Sequence, residues 1–359
     1  MKNHTLCKPP GRLGDGSMTI VTDPRTHPRL VAFIKEQKLG DPGFFDLPEL
    51  TREHTRPIVA AFHKDIMSLY AKIGAQLPWT TPEVLQSTET CRAVDGTEIK
   101  LHIFRRANLL EKAPAVLYMH GGAMVAFDTA NAIDMQWCNS LAASDILAIA
   151  IDFRNAYTEH KDNPYPVGLN DCAAALKHVF LSKERLGVSK IVLEGESGGG
   201  NLAIATAMKA QREGYVDHID GVYAIAPYLS NAYHWPEERK LEELPSLVEC
   251  DGYLMSMQML TVLGWYYTSD DDKNPHAWPY HAPVEELRGL PPHVIVVEEL
   301  DPLRDEGMAF YRKLLMAGVK VVGKMELGVV HNASGMFCQT LPEIHKAAID
   351  DVVAFARSL

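Results

Sequence analysis

Ser197, Asp301 and His331 occur in that order, each just past a run of residues that reads as a β-strand. The serine lies in IVLEGESGGGNLAIA (191–205), where Gly195-Glu196-Ser197-Gly198-Gly199-Gly200 parts an apolar run from a small-residue helical run. A dinucleotide cradle would need GxGxxG with a bare second glycine, so that the backbone can approach a pyrophosphate. Ser197 occupies that position, and no Walker lysine follows. Strong apolar runs on both sides do not suit a linker. The pattern G-x-S-x-G fits better as a sharp strand-to-helix turn that exposes a nucleophilic serine. Gly195 and Gly199 would remove side chains where strand and helix crowd together, and the helix N-terminus would lie beneath a developing oxyanion.

A nucleophilic serine needs a base, and the base needs an orienting acid. EELDPLRDEG places Asp301 after one predicted strand, and GVVHNASG places His331 after the next. DPLRDE also reads as a helix start with Asp301 as its cap. Glu298, Glu299 and Asp305 compete as acids, and His276, His281 and His293 compete as bases. They rank lower because they lie inside a strand, on a helix, or before the strand. The remaining need is for backbone N–H groups aimed at the tetrahedral oxygen; losing one such donor costs on the order of 100- to 1000-fold in rate. LYMHGGAMVAFD follows another predicted strand, and His120-Gly121-Gly122-Ala123 can present amides from an open loop. A simple glycine turn is the plainer reading of that loop taken alone. No HxxxH or HxH pair suggests a metal site, and the chemistry calls for no cofactor.

These residues need a scaffold that brings strand ends together. TCRAVDGTEIKLHIFRR predicts two strands joined at Asp95-Gly96. AVLYMH, ILAIAIDF, IVLEGE, GVYAIAPY, HVIVVEEL and VVGKMELG then alternate with helical stretches. An antiparallel start followed by repeated βα units predicts an α/β fold: a mostly parallel eight-stranded sheet with helices on both faces. Active sites of such sheets lie at the carboxyl ends of the strands. Two helical pieces precede the sheet, the second with Ile58, Val59, Phe62, Ile66, Leu69 and Tyr70 at helical spacing. The expected division is 1–85, a mobile Gly- and Pro-rich tail (to about residue 18) plus a helical cap, and 86–359, the catalytic domain. Residues 229–280, with a Met-rich helix, are expected to add a second cap and pocket region.

The chain of 359 residues is 47% hydrophobic and 23% charged, which fits a soluble globular protein of one large or two smaller domains. Its net charge of -11 argues against nucleic acid or an anionic membrane as partner. No apolar run approaches the roughly 18–20 residues of a spanning helix, and MKNHTLCKPPGRLGDGSM has no signal-peptide h-region. Six scattered cysteines without a CxxC read as buried free thiols. A cytoplasmic protein is the expectation.

Taken together, HGGAM, GESGGGN, DPLRDEG and GVVH resemble the hormone-sensitive-lipase-like branch of the α/β-hydrolases, from about residue 88 to the C-terminus. The resemblance implies a serine carboxylesterase that hydrolyses small esters or lactones, with Ser197 as nucleophile, His331 as base and Asp301 as its partner. It implies the amides of Gly122, Ala123 and Gly198 as the oxyanion hole, with His120 bracing the loop. Met124, Phe127, Tyr228, Trp235 and Met255 are expected in the substrate pocket. A homodimer is a further expectation, since helices in this branch often mediate dimers. Ala123 departs from the usual third glycine of HGGG, Glu196 from an aspartate and Gly198 from an alanine. Acyl transfer in secondary metabolism and ligand binding without catalysis are the alternatives.

Overall fold

A computed structural model describes residues 8–39, 45–75, 77, 81–109, 112–269 and 271–359. Eight strands form one sheet: β1 (Val84–Arg92), β2 (Glu98–Arg106), β3 (Ala113–Met119), β4 (Leu147–Ile151), β5 (Val188–Glu196), β6 (Gly221–Ile225), β7 (His293–Glu298) and β8 (Val321–Glu326). Their order is β1-β2-β4-β3-β5-β6-β7-β8. β1 and β2 pair antiparallel around a turn in which Gly96 takes φ 84°, and β2 pairs antiparallel with β4. All later neighbours are parallel. The sheet thus has the expected strand number and sense, although β1 begins at Val84, two residues before the expected boundary.

Strand alternation sorts the core into two layers. Ala115, Leu117 and Met119 of β3 face one apolar cluster, and Val116 and Tyr118 face the other. The helices named here are α1 (Pro28–Gln37), α2 (Arg52–Gly74), α3 (Ala132–Ala143), α4 (Val167–Leu181), α5 (Gly198–Arg212), α6 (Met257–Thr268), α7 (Arg304–Met316) and α8 (Pro342–Ser358). Helices α4, α5 and α7 cover the first face, and α3 and α8 the second. β4, β6 and β7 are buried on both faces, so they read as near-continuous apolar runs, whereas the edge strand β8 is partly exposed. No helix among the described residues is long and apolar enough to cross a membrane.

Residues 8–18 include a 3-10 turn at Gly11–Leu13, and Gly11 is buried against Glu249. Arg25 pairs with Asp23 and Glu249 at 2.7 and 2.6 Å, and Arg304 grips the other oxygen of Glu249 at 2.7 Å. Two guanidiniums bracket a buried carboxylate, so the ion pairs compensate its desolvation. Glycine and proline in this stretch serve packing and turns. Five cysteines (Cys91, Cys138, Cys172, Cys250 and Cys338) are free and buried, as expected; Cys7 lies outside the described residues.

The tightest joint is where β5 becomes α5. A Cβ on Gly199 would lie 1.8 Å from the Met119 carbonyl oxygen, and one on Gly195 would lie 2.4 Å from the Gly199 backbone. Both obstacles are backbone and cannot step aside. Gly199→Ala is therefore expected to destabilise by on the order of 4 kcal/mol or to prevent folding. The control Gly16→Ala, which meets nothing within 4 Å, should be near neutral. Urea unfolding of both variants checks this; a Gly199→Ala midpoint equal to wild type would refute the account of the joint.

Candidate active site

The sequence forces a bend at Ser197 because β5 must reverse into α5 within one residue. Ser197 takes φ 53° and ψ -119°, a conformation that costs a non-glycine residue about 1–3 kcal/mol. The neighbours hold it there. Its N–H donates to the Ile225 carbonyl at 2.9 Å, and its carbonyl accepts from Tyr228 at 3.0 Å and Asn201 at 3.1 Å. Asn201 Nδ2 in turn donates to the Tyr228 and Ala277 carbonyls, tying the start of α5 to the 229–280 excursion.

The loop after β3 lies across this bend. A Cβ on Gly198 would come 2.7 Å from the Ala123 nitrogen and 2.5 Å from that of Met124, so only glycine lets the loop approach. Gly122 and Ala123 take φ 91° and 57°. Among the described residues, no acceptor takes the N–H of Gly122, Ala123 or Gly198. Three free amides therefore stand beside the serine, the arrangement an oxyanion hole requires. His120 is buried, stacks on Phe153 at 4.4 Å and donates from Nδ1 to the Gly121 carbonyl at 2.8 Å. Burial pushes its pKa down to about 4, which keeps it neutral. The far side of the loop is pinned by segment 152–157: Asn155 Nδ2 donates to the Phe127 carbonyl at 2.5 Å, and the Ala156 and Tyr157 amides donate to Met124 and Val125.

Asp301 and His331 follow β7 and β8 and meet at the same sheet edge. His331 Nδ1 lies 2.8 Å from Asp301 Oδ2. Asp301 is fully buried, and its Oδ1 accepts the Leu303 N–H at 2.8 Å, so the predicted helix-start contact coexists with the histidine contact. The competing residues are engaged elsewhere. Glu299 accepts from Gly328, Asp305 pairs with Arg304, His281 bonds the Ser230 carbonyl and His293 the Pro291 carbonyl. His276 lies with Arg212 and Lys273 around a separate polar hollow. Glu298 accepts the Asn332 and Ala333 amides at 2.7 and 2.8 Å, which fixes the turn that carries His331.

Ser197 and His331 line one cavity of about 250 Å³ together with Gly122, Ala123 and Glu196. Its apolar wall comes from α2 (Phe62, Ile66, Tyr70), from α6 (Met259, Leu260, Leu263) and from Phe127 and Met255. Three expected pocket residues lie outside this lining. Met124, at φ 60°, sits in the core cluster. Tyr228 is fully buried, stacks on Tyr233 and donates to the Leu260 carbonyl at 2.7 Å. Trp235 packs beneath the Arg239 guanidinium, 3.4 Å from its ring centre.

Residues 116–334 match the family described as the alpha/beta hydrolase fold. The structure of brefeldin A esterase, titled a bacterial homologue of human hormone sensitive lipase, is 44% identical with a TM-score of 0.94, over 97% of this chain and 98% of that one. The chain belongs to the hormone-sensitive-lipase-like branch of the α/β-hydrolases. The structure of esterase Est22 is 30% identical with a TM-score of 0.83, over 94% of this chain and 99% of that one. Carboxylesterase NlhH of Mycobacterium tuberculosis is 29% identical over 292 residues, 78% of this chain and 86% of its own length.

Within this α/β-hydrolase, sequence reasoning missed Glu298 as the brace of the histidine turn and the Glu196 contact with Gly121. It expected the N-terminal helices as a cap over the pocket but did not name Phe62, Ile66 and Tyr70 as the residues that line it. Ala123 is the departure most open to test. Glycine there would relieve a left-handed alanine but add unfolded-state freedom, so stability should change by less than about 1 kcal/mol. Because Ala123 lines the cavity, Ala123→Gly is expected to stay active and to change the ranking of acyl groups. Relative kcat/KM over a series of p-nitrophenyl esters measures this, and an inactive but folded variant would contradict it.

Proposed function

We propose that the chain hydrolyses small, uncharged carboxylic esters or lactones through an acyl-enzyme on Ser197. The carrying observation is that Ser197, His331 with Asp301 behind it, and the loop residues Gly122 and Ala123 meet at one apolar cavity. Relatives named esterase and carboxylesterase favour hydrolysis over acyl transfer, and the presence of His331 beside Asp301 favours catalysis over binding alone.

In this reading His331 Nε2 takes the Ser197 hydroxyl proton as Oγ attacks the ester carbonyl. Asp301 accepts from Nδ1–H, which fixes the tautomer and stabilises the imidazolium. The carbonyl oxygen becomes an oxyanion facing the amides of Gly122, Ala123 and Gly198. Collapse breaks the C–O bond to the alcohol, which leaves with the proton from His331. Water then enters, gives a proton to His331 and attacks the acyl carbon, releasing the acid and restoring Ser197. No step calls for a metal or cofactor. Among the described residues, the cavity lining has no lysine or arginine, which suits uncharged acyl groups.

We assign the cap role to residues 1–85 and 229–280, and the catalytic domain to 86–359. What supports this is that Phe62, Ile66 and Tyr70 from the first, and Met255, Met259 and Leu260 from the second, face Ser197 across the cavity. Ser197→Ala is expected to lower kcat on p-nitrophenyl esters by at least about 1000-fold and to abolish labelling by a fluorophosphonate probe. Retained turnover would sink the proposal. Asp301→Asn should keep the fold, and keep Ser197 in place, while kcat falls on the order of 10⁴-fold through loss of the correct tautomer. Wild-type kcat in that variant would remove Asp301 from the mechanism.

A further inference from the structure

Behind the serine lies a group of carboxyls that the mechanism does not use. Asp134 (α3), Glu194 and Glu196 (both β5) are buried to 1%, 0% and 5% exposure. Among the described residues, each accepts hydrogen bonds only from neutral donors. Tyr118 and Asn131 donate to Asp134 at 2.9 and 2.5 Å, Trp137 Nε1 donates to Glu194 Oε2 at 3.2 Å, and the Gly121 amide donates to Glu196 Oε1 at 3.3 Å. The other oxygens, Glu194 Oε1 and Glu196 Oε2, have no partner among the described residues. Both residues border a chamber of about 10 Å³, shared with Asp134, Asn332 and Ser334, and Glu196 and Asn332 also line the substrate cavity.

A carboxylate buried without a cation or several donors pays a desolvation cost that a proton removes. Three together add mutual repulsion. The groups facing them from adjoining elements are Tyr118 from β3, Cys138 from α3, Tyr70 from α2 and Tyr223 from β6. None is a cation. His345 of α8 packs edge-on to Trp137 and is turned to Ser140 and the Ser334 carbonyl, and burial lowers its pKa, so it too is neutral.

We propose that Glu196 is a positioning residue that works as an uncharged carboxylic acid: its Oε1 holds the Gly121 amide, and with it the oxyanion loop, while the protons of the cluster keep negative charge away from the developing oxyanion. This rests on the reading of Ser197 and the loop amides given above. Burial raises Asp134 to about 7 and Glu194 to about 8, and it raises Glu196 well above the carboxylate range, with the other two acids adding to the shift. Gly121 is thereby held from two sides, at nitrogen by Glu196 and at oxygen by His120.

The sign of the pH effect follows. Between the ordinary glutamate value and about 8, folded Glu194 keeps a proton that the unfolded chain has released. Stability must therefore fall as pH rises through that window. In catalysis, deprotonation places charge beside the oxyanion, so kcat must fall on the alkaline side.

Three variants test this. Glu196→Ala should lose about 100-fold in kcat, the scale of an oxyanion-hole defect, with a much smaller change in KM. Glu196→Gln, a permanently neutral carboxamide, should recover most of that loss and flatten the alkaline fall. Glu194→Gln should keep neutral-pH kcat within about threefold and make the decline of stability with pH shallower than in wild type, the raised Asp134 and Glu196 supplying the remainder. Infrared spectra at pH 7 should show a neutral carboxylic acid band that weakens in Glu196→Gln, and this readout does not depend on esterase activity. The proposal is overturned if Glu196→Gln is as impaired as Glu196→Ala, if the alkaline limb is unchanged, or if no neutral acid band exists at pH 7. Fluorophosphonate labelling of the same samples separates the two readings: loss of Ser197 reactivity in wild type would count against the hydrolase mechanism, not against the cluster.

Discussion

One close backbone approach governs the site. Where β5 turns into α5, Gly199 lies against the Met119 carbonyl and Gly195 against Gly199. That contact leaves Ser197 no room for ordinary strand or helix geometry, so it adopts φ 53° and points its side chain off the sheet edge. The same closeness brings the start of α5 under the loop after β3, because Gly198 offers no Cβ to hold Ala123 and Met124 away. The nucleophile and the amides that would receive the oxyanion are thus placed by a single packing event. The strain at Ser197 is balanced by hydrogen bonds with Ile225 of β6, Tyr228 and Asn201 of α5, and Asn201 reaches on to Ala277 in the 229–280 excursion.

Charge is handled differently on the two sides of that joint. On the base side, Asp301 is buried but satisfied by the Leu303 amide and by His331, and Glu298 clamps the following amides. On the oxyanion side, the buried acids have only neutral partners and are pushed toward the protonated form. A negative group next to the histidine stabilises the imidazolium, whereas a negative group next to the oxyanion opposes the reaction. Glu298, also buried, is itself pushed toward the protonated form, with Asp301 adding to the shift, so the contrast lies between Asp301, which holds both His331 and the Leu303 amide, and the acids behind the loop.

The elbow, the acid, the base and the amide loop were legible because each is a local signal: a residue of the right type just past an apolar β-branched run. The eight strands were legible for the same reason. The cap was legible in outline, and Phe127 and Met255 were expected in the lining, but most residues of the cavity wall were not, because it is built by packing between distant segments. The stripe of Phe62, Ile66 and Tyr70 looks like any core face until α2 is placed over Ser197. Tyr228 and Trp235 misled because large aromatics near strand ends serve packing as readily as binding; here one supports α6 and the other lies under Arg239. Glu298 was set aside for lying inside a strand, yet its position at the end of β7 lets it reach the turn that carries His331. The N-terminal stretch reads as tail by composition, but Arg25 and Glu249, 224 residues apart, fasten it to the elements that bear Asp301.

The account stands on a covalent bond between substrate acyl group and Ser197. Its most direct test is to quench the enzyme during turnover of a slowly deacylating ester and to locate the added mass by peptide mass spectrometry. The account predicts one acyl group on the peptide containing Ser197, formed and lost at rates consistent with kcat. Turnover with no such adduct, or with the acyl group on another residue, would contradict it.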